Sequence, residues 1–220
     1  KWKHRRWYIQ TLWGFIVSLV KYNNNSLSAI TAASGLTAGA MTLIKEQTAS
    51  SSATISFVDG TSDVVLDSTY PIYVFKFINI HPSATQNFTF QANASGGSGY
   101  NETMTTTHFI PAHDEADSGT SLGYQASLDQ AQGTAFQRIG KASTGNDECI
   151  SGELWLFGIS STTYVKHFIS RTNNYNSAYS QEEYVAGYFN TTSALDEFQF
   201  KLASGNIDSG TIKLYGIKDS

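Results

Sequence analysis

The densest group of potential metal ligands lies in an acidic segment, PAHDEADSGT, at residues 111–120. Carboxylate oxygens of a flexible loop, joined by a backbone carbonyl, are ligands that Ca²⁺ prefers. Asp114, Glu115 and Asp117 do not follow the EF-hand spacing, however, and a solvated acidic loop is the default interpretation of such a run. We therefore treat these three residues as candidate metal ligands and predict no cofactor.

Three histidines lie in or beside strand-like runs, at His81, His108 and His167. Nucleophilic catalysis would require one of them near a nucleophile and an orienting carboxylate. The sequence contains no G-x-S-x-G, H-E-x-x-H, P-loop or C-x-x-C motif. The neighbouring carboxylates Glu182 and Glu183 indicate solubilising charge at a loop or strand edge rather than the facing pair of a glycosidase. We therefore predict that the protein is not an enzyme.

A third candidate site combines aromatic rings with short polar side chains at residues 171–181, RTNNYNSAYSQ. Tyr175 and Tyr179 stand close to Asn173 and Asn176 in this segment. Aromatic rings with amide and hydroxyl neighbours are typical of loops that bind sugars or proteins. We predict a long surface loop here, which contacts either a glycan or a neighbouring subunit.

The composition favours β-structure over helices. Aromatic residues make up 13% of the 220 residues and charged residues only 15%, while Thr, Ser, Asn and Gly are abundant. The formal net charge of −4 argues against nucleic acid as a partner of the main body. The single cysteine, Cys149, excludes an internal disulfide framework and a cysteine-rich metal site.

Short alternating runs separated by turn residues predict about ten strands, the pattern of a sandwich or barrel. Residues 72–80 are apolar on both sides except at Lys76 and Asn79, which predicts a central strand covered on both faces. The runs 198–202 and 211–215 flank a segment rich in Ser, Gly, Asn and Asp, which predicts a closing hairpin.

The fold predicted from these patterns is an all-β, antiparallel, jelly-roll-like β-sandwich at residues 41–220, with an N-terminal extension. The large apolar side chains of the alternating runs should form its core. The residues predicted for the core are Phe75, Phe77, Phe198, Phe200, Ile212 and Leu214.

The first 22 residues differ from the rest, because a basic head precedes an apolar run, Trp7–Val20. A signal peptide, a signal anchor and a start-site artefact are alternatives, but the run is shorter than the roughly 20 residues that span a bilayer. We favour an anchoring arm that packs in a partner subunit rather than a membrane, followed by a hinge and connector at residues 23–40. The predicted anchoring residues are Trp2, Trp7, Trp13, Phe15, Ile16 and Leu19.

Four segments resemble a family of virion structural proteins of marine tailed bacteriophages. They are YPIYVFKFINIHPS (70–83), SSTTYVKHFIS (160–170), AGYFNTTSALDEFQFK (186–201) and SGNIDSGTIKLYGIK (204–218). The resemblance covers residues 27–218 and implies a β-sandwich on the particle surface, as a capsid decoration, fibre or tail-associated protein. It carries no catalytic motif to this chain.

From this resemblance we expect a virion location, other virion subunits as partners and a homotrimer before other oligomeric states. A host surface glycan is a further candidate partner. A carbohydrate-binding or host-receptor-binding β-sandwich module remains the alternative function, and it would need an exposed aromatic platform.

Overall fold

The structure is a computed structural model that describes residues 41–218. These residues form thirteen strands and no helix. The strands are β1 (Met41–Thr48), β2 (Ile55–Val58), β3 (Ile72–Pro82), β4 (Gln86–Ala94), β5 (Met104–Asp114), β6 (Thr120–Tyr124), β7 (Ala131–Gly133), β8 (Gln137–Ala142), β9 (Ile150–Phe157), β10 (Lys166–Asn176), β11 (Tyr179–Phe189), β12 (Leu195–Leu202) and β13 (Ile207–Ile217).

The strands are arranged in two sheets whose pairings are all antiparallel. The larger sheet has nine strands, in the order β1-β13-β3-β9-β10-β11-β5-β6, with β7 also paired to β5. The smaller sheet has four, in the order β2-β12-β4-β8. The prediction of an all-β, antiparallel β-sandwich is confirmed, whereas the jelly-roll description stays a prediction.

The inward faces of the two sheets build one aromatic core. β12 turns Phe198 and Phe200 inward because successive side chains of a strand point to opposite faces. The ring of Phe200 meets Phe75 of the facing sheet at a centroid distance of 4.8 Å and Phe77 at 5.3 Å. All six residues predicted for the core are at most 2% exposed, which confirms that prediction.

The predicted closing hairpin is wrong, because β12 and β13 lie in different sheets. β13 pairs with β1 and β3, whereas β12 pairs with β2 and β4. The segment 203–206 therefore connects the two layers. Alternation places Phe200 and Ile212 on apolar strand faces, but it does not distinguish strands that lie side by side from strands that pack face to face.

The predicted loop at residues 171–181 is also wrong. β10 continues to Asn176, and β11 begins at Tyr179. Only Ser177 and Ala178 join the two strands, with φ angles of 51° and 68°. Two central residues with positive φ are typical of a type I′ hairpin turn, which usually contains Asn or Gly. The sequence did not predict this turn, because Ser177 and Ala178 are neither Asn nor Gly.

Strand β3 lies inside the larger sheet, between β13 and β9, as predicted for a central strand. Its inward side chains Tyr73, Phe75 and Phe77 are buried. On its outward face Val74 is buried, but Ile78 is 41% exposed. The expectation that both faces are covered is therefore wrong for the outward face, as far as residues 41–218 are concerned.

Candidate functional site

The outward face of the larger sheet is the candidate functional site, because it leaves large apolar side chains in contact with solvent. On β10, Phe168 is 1% exposed, whereas Ile169 on the opposite face is 52% exposed. On the edge strand β1, Leu43 is 47% exposed. Exposed apolar residues on one sheet face are a feature of interaction sites when they belong to a larger apolar patch.

The strand register aligns the outward side chains in two rows that cross six strands, from β1 to β11. The first row contains Leu43, Tyr215, Val74, Trp155, Ile169 and Ala186. The second row contains Met41, Ile217, Ile72, Phe157, His167 and Tyr188. We call these twelve residues the apolar band.

The dimensions of the apolar band follow from sheet geometry. Six strands at a spacing of about 4.8 Å span about 24 Å, and two rows cover about 14 Å of strand length. The footprint is therefore on the order of 300–400 Å², and it includes the fully buried Val74. Patches of about this size are the largest on a typical monomer and are often functional. Part of the band forms a shallow depression of about 500 Å³, lined by Phe157, Ile169 and Tyr188 among others.

A row of paired charges borders the apolar band. Lys213 Nζ lies 2.8 Å from Glu46 Oε2, Lys76 Nζ lies 3.3 Å from Glu153 Oε2, and Arg171 is paired with Glu182. The hydrogen bond and charge of Glu46 raise the pKa of Lys213. Because these side chains already hold partners, a subunit could cover this row without burying an unpaired charge.

An aromatic corner lies beside Arg171, toward the far edge of the sheet. Phe109 of β5 and Tyr184 of β11 are stacked, with ring centroids 4.8 Å apart and an interplanar angle of 3°. Tyr124 of β6 stands opposite Phe109 in register and is 57% exposed. We call Phe109, Tyr124 and Tyr184 the aromatic corner, a surface on which a sugar ring or a protein side chain could stack.

The predicted binding residues are divided between the two faces of one hairpin. Asn173 and Tyr175 lie on the same outward strand face as Ile169. Asn176 of β10 and Tyr179 of β11 are at positions that alternate with that face and therefore belong to the inward face. Asn173 Nδ2 donates to Ser180 Oγ at 3.1 Å, so its amide is already engaged. The structure therefore does not bring these four residues together as one site.

The candidate metal ligands belong to the turn between β5 and β6. Asp114 accepts hydrogen bonds from the Ser118 and Gly119 backbone N–H groups, at 2.8 and 3.1 Å, and from the Ser118 hydroxyl. These hydrogen bonds lower the pKa of Asp114. Asp117 lies beside His113 instead, at 3.2 Å. Within residues 41–218, no three His, Cys, Asp or Glu side chains are grouped to hold a metal ion.

Glu115 joins the acidic turn to the tyrosine hairpin. Its backbone N–H donates to the Ala178 carbonyl at 2.9 Å. The negative charge of Glu115 is the largest of the effects that raise the pKa of Tyr175, and Asp147 and Glu148 add to it. Two segments that the sequence presented as separate candidate sites thus meet at one end of the sandwich.

A buried polar cluster between the sheets was missed by the sequence analysis. Glu183 is fully buried, although it was predicted to be solubilising charge. His108 Nε2 lies 3.0 Å from Glu183 Oε2, and Arg138 Nη2 lies 2.5 Å from Glu183 Oε1. Asn174 Nδ2 also donates to Glu183 Oε1 at 3.0 Å.

The environment of Glu183 keeps its carboxylate ionised. Burial raises the pKa of Glu183, but hydrogen bonds and charges from His108 and Arg138 outweigh burial and hold the pKa below its usual range. Alternation along β11 could have predicted the inward position of Glu183. Glu183 is separated by an even number of positions from Val185 and Phe189, which are buried, so the three side chains lie on the same face of the strand. The wrong loop prediction at residues 171–181 hid that parity.

The three histidines occupy separate places in the fold. His108 is buried in the polar cluster, and His167 belongs to the apolar band. His81 Nε2 lies 3.1 Å from the Gly145 carbonyl oxygen, which agrees with the interpretation of a hydrogen-bonded strand histidine.

The predicted anchoring residues in the arm, residues 1–22, lie outside the described residues, as does the connector 23–40. Within the described range, no helix has the length and apolar character needed to cross a membrane.

Comparison with known proteins does not assign the chain to a family. Neither a family model, a curated protein nor a solved structure matches it. The resemblance to phage virion proteins therefore stays a prediction.

Proposed function

We propose that the chain is a non-enzymatic structural protein of a bacteriophage particle, which decorates the capsid or forms a fibre or tail accessory. Its work is noncovalent, because it binds other subunits through the apolar band. The observation that carries this proposal is the band itself. It lies on the outward face of a sheet whose inward face already packs the aromatic core, and Met41, Leu43 and Ile169 of the band are 39%, 47% and 52% exposed, so a subunit that covers them would bury apolar surface. The phage context comes from the sequence resemblance.

The charges around the band support a protein partner. Burying an ion whose partner is missing is strongly unfavourable. Covering an ion pair that is already formed costs less free energy. The ion pairs Lys213–Glu46, Lys76–Glu153 and Arg171–Glu182 border the band. This side of the sheet therefore combines apolar surface with charges that need no further partner.

The buried polar cluster supports a structural role for His108 and Glu183. His108 and Glu183 have fully buried side chains, so a substrate in solution does not reach them. Their arrangement ties β5 and β11 to Arg138 of β8 in the other sheet. This ion pair joins the two layers of the sandwich.

We propose a location on the virion surface and a closed homo-oligomer, with a trimer as the first expectation. Soluble oligomers are mostly homo-oligomers with closed rotational symmetry, and the trimer follows from the resemblance to phage structural proteins.

The test replaces an exposed residue of the apolar band in the full chain. Ile169→Lys should place an unpaired charge in the interface and prevent assembly in analytical ultracentrifugation, while circular dichroism shows a retained β-sandwich. Thr61→Lys is the matched control, because Thr61 is an exposed loop residue that follows β2 of the smaller sheet. An Ile169→Lys variant that assembles like the Thr61→Lys control would refute the proposal.

The aromatic corner favours a second candidate function, the binding of a host surface glycan. The stacked pair Phe109 and Tyr184, with the exposed Tyr124 beside it, is the kind of platform that sugar rings use. If this function is correct, glycan-array binding by the full chain should be lost in Tyr124→Ala and kept in Ile169→Lys. A chain that binds no glycan on the array would remove this candidate.

A further inference from the structure

Charge is distributed unevenly along the chain. Residues 1–40 contain five Lys and Arg and no Asp or Glu, whereas residues 41–220 contain nine Lys and Arg against 18 Asp and Glu. The two parts therefore carry formal charges of +5 and −9. Opposite charges of this size attract the basic part of one copy to the acidic part of another.

Several of the acidic side chains of the body lie at one end of the sandwich. Glu115, Asp147 and Glu148 surround Tyr175 closely enough for their negative charges to raise its pKa. We call these three carboxylates and Asp117 the acidic end. Tyr175 lies six positions along β10 from Ile169 in the apolar band, a distance of about 20 Å along a strand.

We propose that the apolar band binds the apolar run Trp7–Val20 of a neighbouring copy, with the basic residues of that copy's head directed toward the acidic end. This inference rests on the proposed function and names the partner of the band. The run supplies large apolar side chains to a surface that exposes Met41, Leu43 and Ile169, and the head supplies the opposite charge.

The lengths of the chain segments are compatible with this contact. Fourteen residues from Trp7 to Val20 would measure about 21 Å as a helix and about 46 Å when extended, against about 24 Å for the width of the band. The basic head lies within six residues of Trp7, about 20 Å of extended chain, which matches the distance from the band to the acidic end.

The connector is long enough to reach another copy. The twenty residues 21–40 can extend to about 66 Å, and the next residue, Met41, belongs to the apolar band. A run that enters the band of the next copy makes a head-to-tail contact, and such contacts generate a ring when the rotation closes. The proposed trimer fits this geometry as a ring in which each copy gives one run and receives one.

The test is photo-crosslinking of the full chain in solution. Benzoylphenylalanine replaces Ile169 in a mixture of nitrogen-14 and nitrogen-15 copies, and mass spectrometry identifies the crosslinked peptides. We expect links between position 169 and residues 7–20 that join one light and one heavy copy. The same probe at Thr61, in the exposed loop after β2, should give no such links.

Each alternative result of the crosslinking overturns the inference in a recognisable way. Links from position 169 to residues 7–20 of the same copy alone would show that the run folds back on its own chain. Links to the apolar band of another copy would also overturn it, but the proposed function would stand. A monomer without any intermolecular link would overturn both.

Charge reversal tests the acidic end separately. Glu115→Lys should weaken assembly several-fold more than Asp63→Lys, which makes the same charge change in an exposed loop, and the difference should shrink at high salt. Adding Arg5→Glu and Arg6→Glu to Glu115→Lys should restore part of the loss. Equal effects of Glu115→Lys and Asp63→Lys at low salt would overturn the charge part of the inference.

Discussion

At the residue scale, Glu183 shows how a charged side chain can become part of a core. Its carboxylate accepts hydrogen bonds from Arg138 Nε, at 3.1 and 3.0 Å to its two oxygens, and from Asn174. A buried ion is tolerated when charged and polar partners satisfy it, and it becomes strongly destabilising when one partner is removed. The cluster therefore stabilises the contact between β8 and β11 only as a complete set.

Removing the arginine should leave the buried carboxylate without its cation. Arg138→Met keeps most of the side-chain volume but should lower the free energy of unfolding by about 3–5 kcal/mol, measured by urea denaturation at pH 7. Lys141→Met, which removes a charge from the same strand, serves as the control. A loss in Arg138→Met no larger than in this control would contradict the assigned pairing.

The pH dependence of stability should also report Glu183. Because the pKa of Glu183 in the folded protein lies below its usual range, the ionised carboxylate contributes stability that is fully present above the unfolded pKa of about 4.3. That contribution is lost as the pH falls through the lowered folded pKa. Glu183→Gln should therefore differ most from wild type near neutral pH, and the difference in urea midpoint should narrow below about pH 4.

A core phenylalanine and its exposed neighbour make a matched pair for cavity energetics. Phe77 is 2% exposed and lies 5.2 Å from Phe88 and 5.3 Å from Phe200, measured between ring centroids. Phe77→Ala should lower the free energy of unfolding by about 3–5 kcal/mol. Ile78→Ala, on the outward face and 41% exposed, should cost much less in the same denaturation experiment. Similar losses in the two variants would contradict the assigned faces of β3.

At the element scale, the hairpin of β10 and β11 contributes residues to both the inward polar cluster and the outward band. Its turn at Ser177 and Ala178 has positive φ at both residues. Residues with a Cβ atom pay a steric cost of about 1–2 kcal/mol in this region, and glycine does not. The hairpin is therefore held in this turn by its strand pairing and by neighbours, among them Glu148, whose Oε1 accepts from Ser177 N at 2.5 Å.

Relief of this strain should be measurable. Ala178→Gly should raise the free energy of unfolding by about 0.4–1 kcal/mol, because the native φ of 68° suits glycine. Ala186→Gly, at a regular position of the same strand, should lower it by about 0.5–1 kcal/mol. Thermal or urea unfolding of both variants checks the contrast, and a loss of stability at both positions would contradict the positive φ at Ala178.

At the scale of the whole molecule, the proposed partner of the apolar band is the run at residues 7–20 of another copy. Fully burying one large apolar side chain contributes about 1.5–3 kcal/mol, and a whole domain is stable by only about 5–15 kcal/mol. Eight large apolar side chains lie in or beside that run, at Trp2, Trp7, Trp13, Phe15, Ile16, Val17, Leu19 and Val20. If the run binds as proposed, burial of these side chains should contribute strongly to the free energy of assembly.

Deletion of residues 1–22 should separate folding from assembly. In the part of the chain that the structure describes, the buried core residues extend from Ala49 to Leu214, so we expect the truncated chain to keep its β-structure by circular dichroism. It should fail to join the particle in a reconstitution experiment. A truncated chain that decorates the particle at full occupancy would contradict the anchoring role.

The oligomeric state is the last prediction at this scale. In analytical ultracentrifugation the full chain should sediment as a trimer of the 24.0 kDa subunit, because the resemblance to phage structural proteins implies a trimer and head-to-tail contacts form a ring when the rotation closes. Sedimentation as a monomer at all concentrations would contradict the proposed assembly.

The sequence alone determined the strands in which apolar and polar residues alternate, and which side chains of those strands face the core. Alternation at Phe75 and Phe77, or at Phe198 and Phe200, depends only on residues two positions apart, and all four are buried. Prediction from alternation failed in β10, where the inward residue Thr172 is polar. An alternating pattern can be recognised only when one face of the strand is apolar and the other is polar.

Only the tertiary structure decided how those strands combine. The apolar band joins Met41 to Ile217 and His167 to Tyr188 through backbone pairing between strands that are distant or separated by a turn. Register of this kind is set by long-range hydrogen bonds and by the packing of one sheet on the other, which no local pattern contains. For the same reason, Glu183 became a buried partner of Arg138 rather than a surface charge, since its environment is supplied by a strand of the opposite sheet.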